Sequence, residues 1–276
     1  MSKAVVRKID SAEIQGKREY MEDRKALFRG YVRGRPVDMI GVFDGHAGSR
    51  CAQVLKEKFL PFLFQRIQPA LAAIMTSFSD RNVRNLEARI QSAFVDFDAI
   101  YFPCEESGST ASVVILADVI SHFTTTPSLF ENRQCQNSVL CISCHAGDSR
   151  TGLFTPQGVV FESKDHKPGD AAEKKRIEEA GGRVVVVHGV PRVEGNLAVS
   201  RGFGDRMLKP PVSAVPTCNF FCASRGTGGV IATDGLFDLM NMNEVYKRLR
   251  QAPPAELVKS IAPISHDNVT VVTFEI

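Results

Sequence analysis

A chain of 276 residues with 43% apolar and 24% charged side chains has an ordinary globular composition, which excludes a fibrous or intrinsically disordered protein. The formal net charge of +3 is small, and basic residues are interleaved with acids, so nucleic-acid binding is not indicated. No apolar run approaches the roughly 20 residues that cross a bilayer, and Ser2 excludes a myristoylation signal, so no membrane association is expected. Seven scattered cysteines and the lack of an N-terminal apolar stretch suggest a reducing, intracellular setting, cytoplasmic or nuclear. The length allows one domain or two, and one is expected.

In chain order, 37–43 (VDMIGVF) reads as a strand, and a helix starts near Ala47, to be stopped or bent around Pro61. Residues 81–102 place Val83, Leu86, Ile90, Phe94, Phe97 and Tyr101 at steps of three and four, the stripe of a long helix. Strands follow at 111–117 (ASVVILA) and 138–144 (SVLCISC), with a surface loop over 119–137 between them. Cys141 and Cys144 lack a second Cys or His pair at ligand spacing, so they read as core cysteines. Asp170 and Glu173 form a capping box for a short helix ended by Gly181-Gly182. Strands at 183–188 and 229–233, short helices near 243–251 and 254–262, and a strand at 268–276 complete the chain. Two helices between early strands, then strands in succession, predict antiparallel sheets covered by helices rather than a βαβ repeat.

A pattern of strand, acid and turn residue recurs along this chain. GVFDG ends at Asp44, VIATDG at Asp234, and the last strand starts after SHDN at Asp267, while YMEDR adds Glu22 and Asp23. Asp-Gly ends many strands simply by making a turn. If these places converge, however, several carboxylates meet, and like charges that close repel by several kcal/mol unless a cation lies among them. Glycine or asparagine after the acid lets the backbone turn and presents a carbonyl to the same cation. Oxygen-only ligation selects Mg2+ or Mn2+, and zinc is disfavoured without HExxH or paired Cys/His. Two such ions about 3.5–4 Å apart, bridged by one carboxylate, would lower the pKa of a shared water and supply a hydroxide nucleophile. A phosphate ester suits that chemistry, with Arg18 to attract its oxygens and His46 to protonate the leaving oxygen.

At this point the sequence resembles the protein phosphatase type 2C family, the metal-dependent serine/threonine phosphatases, over nearly its whole length. The motifs stand in family order: REYMEDR (18–24), VFDGHAG (42–48), SGSTAS (107–112), GDSR (147–150), KDHKP (164–168), RVEGNLAVSRGFGD (192–205), ATDGLFD (232–238) and SHDNVTVV (265–272). The resemblance implies an α+β fold, a central sandwich of two antiparallel β-sheets flanked by α-helices, in one catalytic domain over 1–276 with a flap at about 165–205. It implies that Asp44 bridges two ions, that Glu22 and the carbonyl of Gly45 serve one, and that Asp234 and Asp267 serve the other. Asp23 would support the ligands from behind, Arg18 would bind phosphate, and His46 would be the general acid. Asp148, with Asp238, resembles the position that holds a weaker third ion in some members; alternatively Asp148 builds its turn and Asp238 caps a helix.

SGSTAS has no GxSxG elbow and reads as a packed strand start rather than a nucleophile, and His166 reads as a solvated loop residue. Ala47 stands where the family often has glycine, Phe237 where tryptophan is usual, and His145-Ala146 where many members show asparagine. The motifs begin near residue 1 and end at the last strand, so no appended domain is expected. The implied activity is hydrolysis of phosphoserine and phosphothreonine monoesters by direct attack of a metal-bridging hydroxide, with phosphoprotein partners and a monomeric state. A catalytically inactive pseudophosphatase, acting as a protein-binding module, is the alternative, and would be favoured by loss of a ligand acid. A two-metal nuclease or phosphodiesterase would need a basic or aromatic track that the composition does not show.

Overall fold

The computed structural model describes residues 5–120, 123 and 138–276. Its elements begin with β1 (Lys8–Ile14), β2 (Arg24–Val32), β3 (Arg35–Phe43) and β4 (Gly45–His46), then α1 (Arg50–Val54), a π segment (Leu55–Phe59), α2 (Leu60–Ile74) and α3 (Asp80–Tyr101). Next come β5 (Gly108–Ser109), β6 (Ala111–Ala117), β7 (Val139–Ala146), β8 (Arg150–Thr155) and β9 (Gly158–Glu162). After α4 (Ala171–Glu179) come β10 (Val184–Val187), β11 (Val190–Val193), β12 (Phe203–Gly204), β13 (Thr217–Ala223) and β14 (Gly228–Ala232). Finally α5 (Asp234–Phe237), α6 (Met242–Leu249) and α7 (Pro254–Ile261) precede β15 (Val269–Glu275). Most of the loop expected over 119–137 lies outside the described residues; Val119 and Ile120 are buried.

Two five-stranded sheets carry the architecture, in the orders β13-β7-β6-β3-β2 and β1-β15-β14-β8-β9, with all their ladders antiparallel. Alternate strand residues face opposite ways, and here both ways are covered. Val37, Met39 and Phe43 of β3 join Val113 and Ile115 of β6 in a core with Leu63, Phe94 and Phe97 of the long helices. Ile40, Val42, Val114 and Leu116 point the other way, into a core shared with Ile231 and Val272 of the second sheet. That sheet buries Val230, Ala232, Val269 and Val271 against Val245, Leu257 and Ile261 of α6 and α7. Four layers result, helix-sheet-sheet-helix, which is the α+β sandwich expected from the sequence. Cys141 and Cys144 are buried in strand β7 on opposite faces, one in each of two cores, as core cysteines should be.

The stripe read over 81–102 is α3, with Val83, Leu86, Ile90, Phe94 and Phe97 fully buried. Pro61, however, does not stop the preceding helix, which continues to Ile74. Pro61 lacks an N–H, and it stands where the π segment hands over to α2, so its missing bond falls where the ladder already changes spacing. Phe59, inside that π segment, packs edge-on against Phe94 at 4.8 Å, Phe97 at 5.0 Å and Phe203 at 5.1 Å between ring centroids. Burying each such ring contributes roughly 1.5–3 kcal/mol. Through Phe203 the same cluster anchors β12 on the helices, two residues before Asp205.

Between 165 and 205 the chain forms α4 and the β10–β11 hairpin, packed on the small apolar group of Ile177, Val193 and Val212. Asp170 caps α4 by accepting from the Ala172 N–H at 3.0 Å, and Gly181 at φ +83° with the Gly182 N–H on the Ile177 carbonyl (2.9 Å) ends it. Glu173 does not close the expected capping box. It is buried and accepts from the Ser200 hydroxyl (2.7 Å), Arg176 (3.0 Å) and Arg201 (2.5 Å), joining α4 to the segment that leads to Asp205. Burial opposes its charge, but Arg201, Ser200 and Arg176 outweigh that and hold its carboxyl at about 2.

Ala47 sits at φ +55°, a left-handed conformation that costs an L-residue roughly 1–2 kcal/mol. Next to it Gly48 adopts φ +118° and gives its N–H to Glu22 Oε1 at 2.6 Å. Ala47→Gly should therefore raise stability by about 1 kcal/mol, after the greater entropy loss of glycine is subtracted. Denaturant unfolding measures it, and an unchanged or lower midpoint would contradict strain at this turn.

Candidate metal centre

The acids gather at one end of the sandwich, where buried hydroxyls tie the Asp44 turn to the Asp148 turn and the Asp234 turn to Asp23 and the last strand. Asp44 follows β3 directly; its N–H donates to Thr110 Oγ1 (3.2 Å) and its carbonyl accepts from the Thr110 N–H (2.9 Å). The Thr110 hydroxyl lies 2.7 Å from that of Ser149, beside Asp148, and Ser112 lies 2.9 Å from Thr151. SGSTAS thus has the packing role expected of it and ties the GDSR turn to the Asp44 turn. Asp234 opens α5 directly after β14, and Thr233 before it accepts from the Thr270 N–H (2.9 Å) and donates to Asp23 Oδ2 (2.9 Å). One carboxylate oxygen from each of Asp44, Asp148 and Asp234 lies within 4.8 Å of the others.

The other sequence-predicted acids surround this group. Asp267 Oδ2 accepts from Arg18 Nη2 at 2.6 Å, and Glu22 turns Oε1 to the Gly48 N–H, so neither belongs to the innermost three. Asp238 follows α5 and gives its N–H to the Asp234 carbonyl at 2.7 Å. Asp23 is buried behind the group, and its Oδ1 has no hydrogen-bond partner. Asp148, which the resemblance associates with a weaker third ion, stands in the innermost group, and Lys167 Nζ is ion-paired with its Oδ2.

Gly45 and Gly235 do more than make turns. Neither has a positive φ; a Cβ on Gly45 would come within 2.6 Å of the Glu22 carbonyl oxygen, and one on Gly235 within 2.2 Å of the Asn268 carbonyl oxygen. Glycine is required there because another acid-bearing segment passes against the backbone. Asn268, read only as a turn former, ties that segment in. Its Oδ1 accepts from the Glu22 N–H (2.7 Å), and its Nδ2 donates to the carbonyls of Gln15 (2.8 Å) and Tyr20 (3.0 Å).

Burial, then repulsion from Asp23, Asp234, Asp148 and Asp267, raises Asp44 well above the ordinary carboxyl range. Burial, then Asp148 and Asp238, pushes Asp234 up to about 7, and burial does the same to Asp23. His46 Nε2 lies 2.9 and 3.0 Å from the two carboxylate oxygens of Asp205; burial opposes the imidazolium, but the Asp205 hydrogen bond and charge overcome it, so His46 is raised. Asp205 was missed in the sequence although it, too, is an acid directly after a strand. Gly108 leaves room for the pair, since a Cβ there would stand 2.2 Å from both side chains.

His166 is not a solvated loop residue. It is buried, stacked on His145 with ring centroids 4.4 Å apart, and its Nδ1 accepts from the Gly147 N–H (3.2 Å) while Nε2 lies 2.8 Å from the Thr217 hydroxyl. Burial, followed by the His145 charge, pushes it down to about 3. Phe237 lies under the Arg150 guanidinium, 5.0 Å from carbon to ring centroid.

The family model for protein phosphatase 2C matches residues 7–253. Probable protein phosphatase 2C 55 of rice is 31% identical over 277 residues, covering 96% of this chain, which spans 64% of that relative's length. Probable protein phosphatase 2C 59 of Arabidopsis thaliana is 30% identical over 273 residues, covering 95% of this chain and 77% of the relative. The solved structure of a serine-threonine phosphatase 2C from Toxoplasma gondii superposes with a TM-score of 0.73 over 97% of this chain and 94% of that one; at 24% identity this speaks for the fold. The chain, with its motifs in order and its acids gathered at the end of a four-layer sandwich, belongs to the protein phosphatase 2C family.

Proposed function

We propose that this protein is a divalent-cation-dependent protein serine/threonine phosphatase acting on phosphoserine and phosphothreonine monoesters. The observation that carries this reading is the convergence of Asp44, Asp148 and Asp234, from three separate strand ends, within 4.8 Å. The donor set fits hard cations: all oxygen, crowded, and too acidic to sit buried without compensation. Asp44, Asp234 and Asp148 would hold the ions, with Asp267, Glu22 and the Gly45 carbonyl adjoining, Asp23 behind, and Asp238 on the side of Asp148. Bound Mg2+ or Mn2+, two ions in this reading, would lower the pKa of a shared water at neutral pH and offset phosphate charge.

The chain's own groups do the rest. Arg18 is half exposed and pairs with Asp267 at the rim, so its guanidinium can exchange that partner for a phosphate oxygen. Its charge is strengthened by Asp267, then Asp44 and Asp234, against the opposing effect of burial. His46, kept protonated by the Asp205 carboxylate on its Nε2, would offer the proton of its other ring nitrogen, Nδ1, to the departing seryl or threonyl oxygen. The segment 165–205 would act as a flap, since its loop reaches the centre through Lys167. A binding module without turnover is not favoured, because every sequence-predicted ligand acid is present. Phosphoproteins are the proposed partners. Among the described residues no helix is long and apolar enough to cross a membrane.

Asp44→Ala and Asp234→Ala should each lower hydrolysis of p-nitrophenyl phosphate by at least about 100-fold while the circular dichroism spectrum is kept. Wild-type protein should turn over phosphothreonine peptides in Mg2+ or Mn2+ and not in EDTA. Retained activity in either variant, or in EDTA, would contradict the reading.

A second expectation concerns pH. Because Asp23 and Asp234 titrate near 7 in the folded chain and carboxyls near 3.9 when unfolded, the metal-free fold binds more protons than the unfolded chain between those values. In EDTA the melting temperature should rise as the pH is lowered from about 8 to about 6, and added Mn2+ should stabilise most at the alkaline end. A flat EDTA profile would show that these carboxyls are not strained by one another.

A further inference from the structure

The KDHKP loop is locked to the GDSR turn just before Lys167 and to the start of α4 just after it. The His166 N–H donates to the Gly147 carbonyl (3.0 Å), the Gly147 N–H donates back to His166 Nδ1 (3.2 Å), and the Ser200 N–H donates to the His166 carbonyl (2.9 Å). One residue later, the Lys167 carbonyl accepts from the Asp170 N–H at 3.0 Å at the start of α4. The lysine is therefore not a roaming surface charge. Its backbone is fixed beside Asp148, its ammonium is paired with Asp148 Oδ2, and the side chain is more than half covered. Asp148 in turn shares the 4.8 Å group with Asp44 and Asp234. A cation supplied by the chain thus stands at a carboxylate that the proposed function gives to divalent ions.

We propose that Lys167 is a built-in competitor for metal at Asp148: the flap loop holds its ammonium on the carboxylate that would ligate the ion, so an ion bound by Asp148 must compete with the lysine for it. This inference rests on the metal-centre reading above. It gives Asp148 the weakest ion of the site, because binding there must break an existing charge-assisted contact, whereas no described lysine or arginine is paired with Asp44 or Asp234. It also couples the ion to the loop. Whatever displaces Lys167 releases one of the contacts that fix the loop before α4, and by linkage a substrate that draws the lysine away would tighten the ion.

The test is Mn2+ binding read from the electron paramagnetic resonance of the free ion, which does not depend on turnover. Lys167→Met should tighten the weakest class of bound Mn2+ by about tenfold or more, while Lys167→Arg, which keeps the charge, should bind like wild type. Lys164→Met removes an equal charge three residues away, paired with Asp170, and should leave the isotherm unchanged. In an Asp148→Asn background, Lys167→Met should have a clearly smaller effect, since only the action of the lysine on Asp234 and Asp238 remains. The proposal is overturned if the Lys167→Met and wild-type isotherms superimpose, or if Lys164→Met gives the same gain. Failure of the wild type to bind any Mn2+ would instead sink the metal-centre reading itself, and circular dichroism of each variant separates either result from misfolding.

Discussion

Mutual repulsion among crowded, half-buried carboxylates is the constraint around which this molecule is organised. Asp44, Asp148 and Asp234 offer oxygens within 4.8 Å of one another. At an effective dielectric constant of about 20, two unit charges that far apart repel by about 3.5 kcal/mol, and there are three such pairs. No local sequence would hold that arrangement. It is imposed by three apolar cores, which fix strands that are distant in sequence so that their ends emerge side by side.

The imposition is exact enough to leave marks on the backbone. Gly45 and Gly235 are crowded by the chain that bears the neighbouring acids, Ala47 takes a left-handed conformation, and Asp205 does the same at φ +51°. Strain of this sort persists only where the surroundings over-determine it. Around Asp44 they do, through the Thr110 and Ser149 hydroxyls, the Glu22 carboxylate on Gly48, and Asn268 bridging the start and end of the chain. Around Asp205 the anchor is Phe203 in the aromatic cluster of Phe59, Phe94 and Phe97.

Legibility in the sequence followed the range of the interaction. The apolar runs of β3 and β6, the stripe of α3 and the strand-acid-turn pattern are local, so helix-covered antiparallel sheets and their acid-bearing strand ends could be read directly, while the sandwich itself came with the family resemblance. Asp148 and Asp238 also carried a signal, but rank among the acids depends on which oxygens meet, and only the fold decides that. The misreadings were of pairings across the chain. His166 in KDHKP looks solvated until Gly147 and Thr217 satisfy its ring; Glu173 looks like a cap until Arg201 and Ser200 claim it. Of the two outcomes open at Pro61, a stop or a bend, the stop is ruled out because a π segment that sequence does not reveal lies just before it. Asp205 had a readable pattern, since it too follows a strand, but its partner His46 lies 159 residues away.

Those pairings divide the centre into two mechanical halves. Asp44, Asp148 and Asp234 emerge from the sheets, whereas Asp205 and Lys167 come from the segment between β9 and β13, which packs on its own small apolar group. Each half-built feature is completed by the other: His46 of the sheet side meets Asp205, and Asp148 meets Lys167. Glu173, gripping Arg176, Arg201 and Ser200 from α4, joins the two contacts within the segment, so a shift of α4 must be felt at both. The ion pair at Asp148 and the orientation of the imidazole thus both depend on one piece of chain, and the sheets, packed on both faces, supply the fixed frame against which it packs.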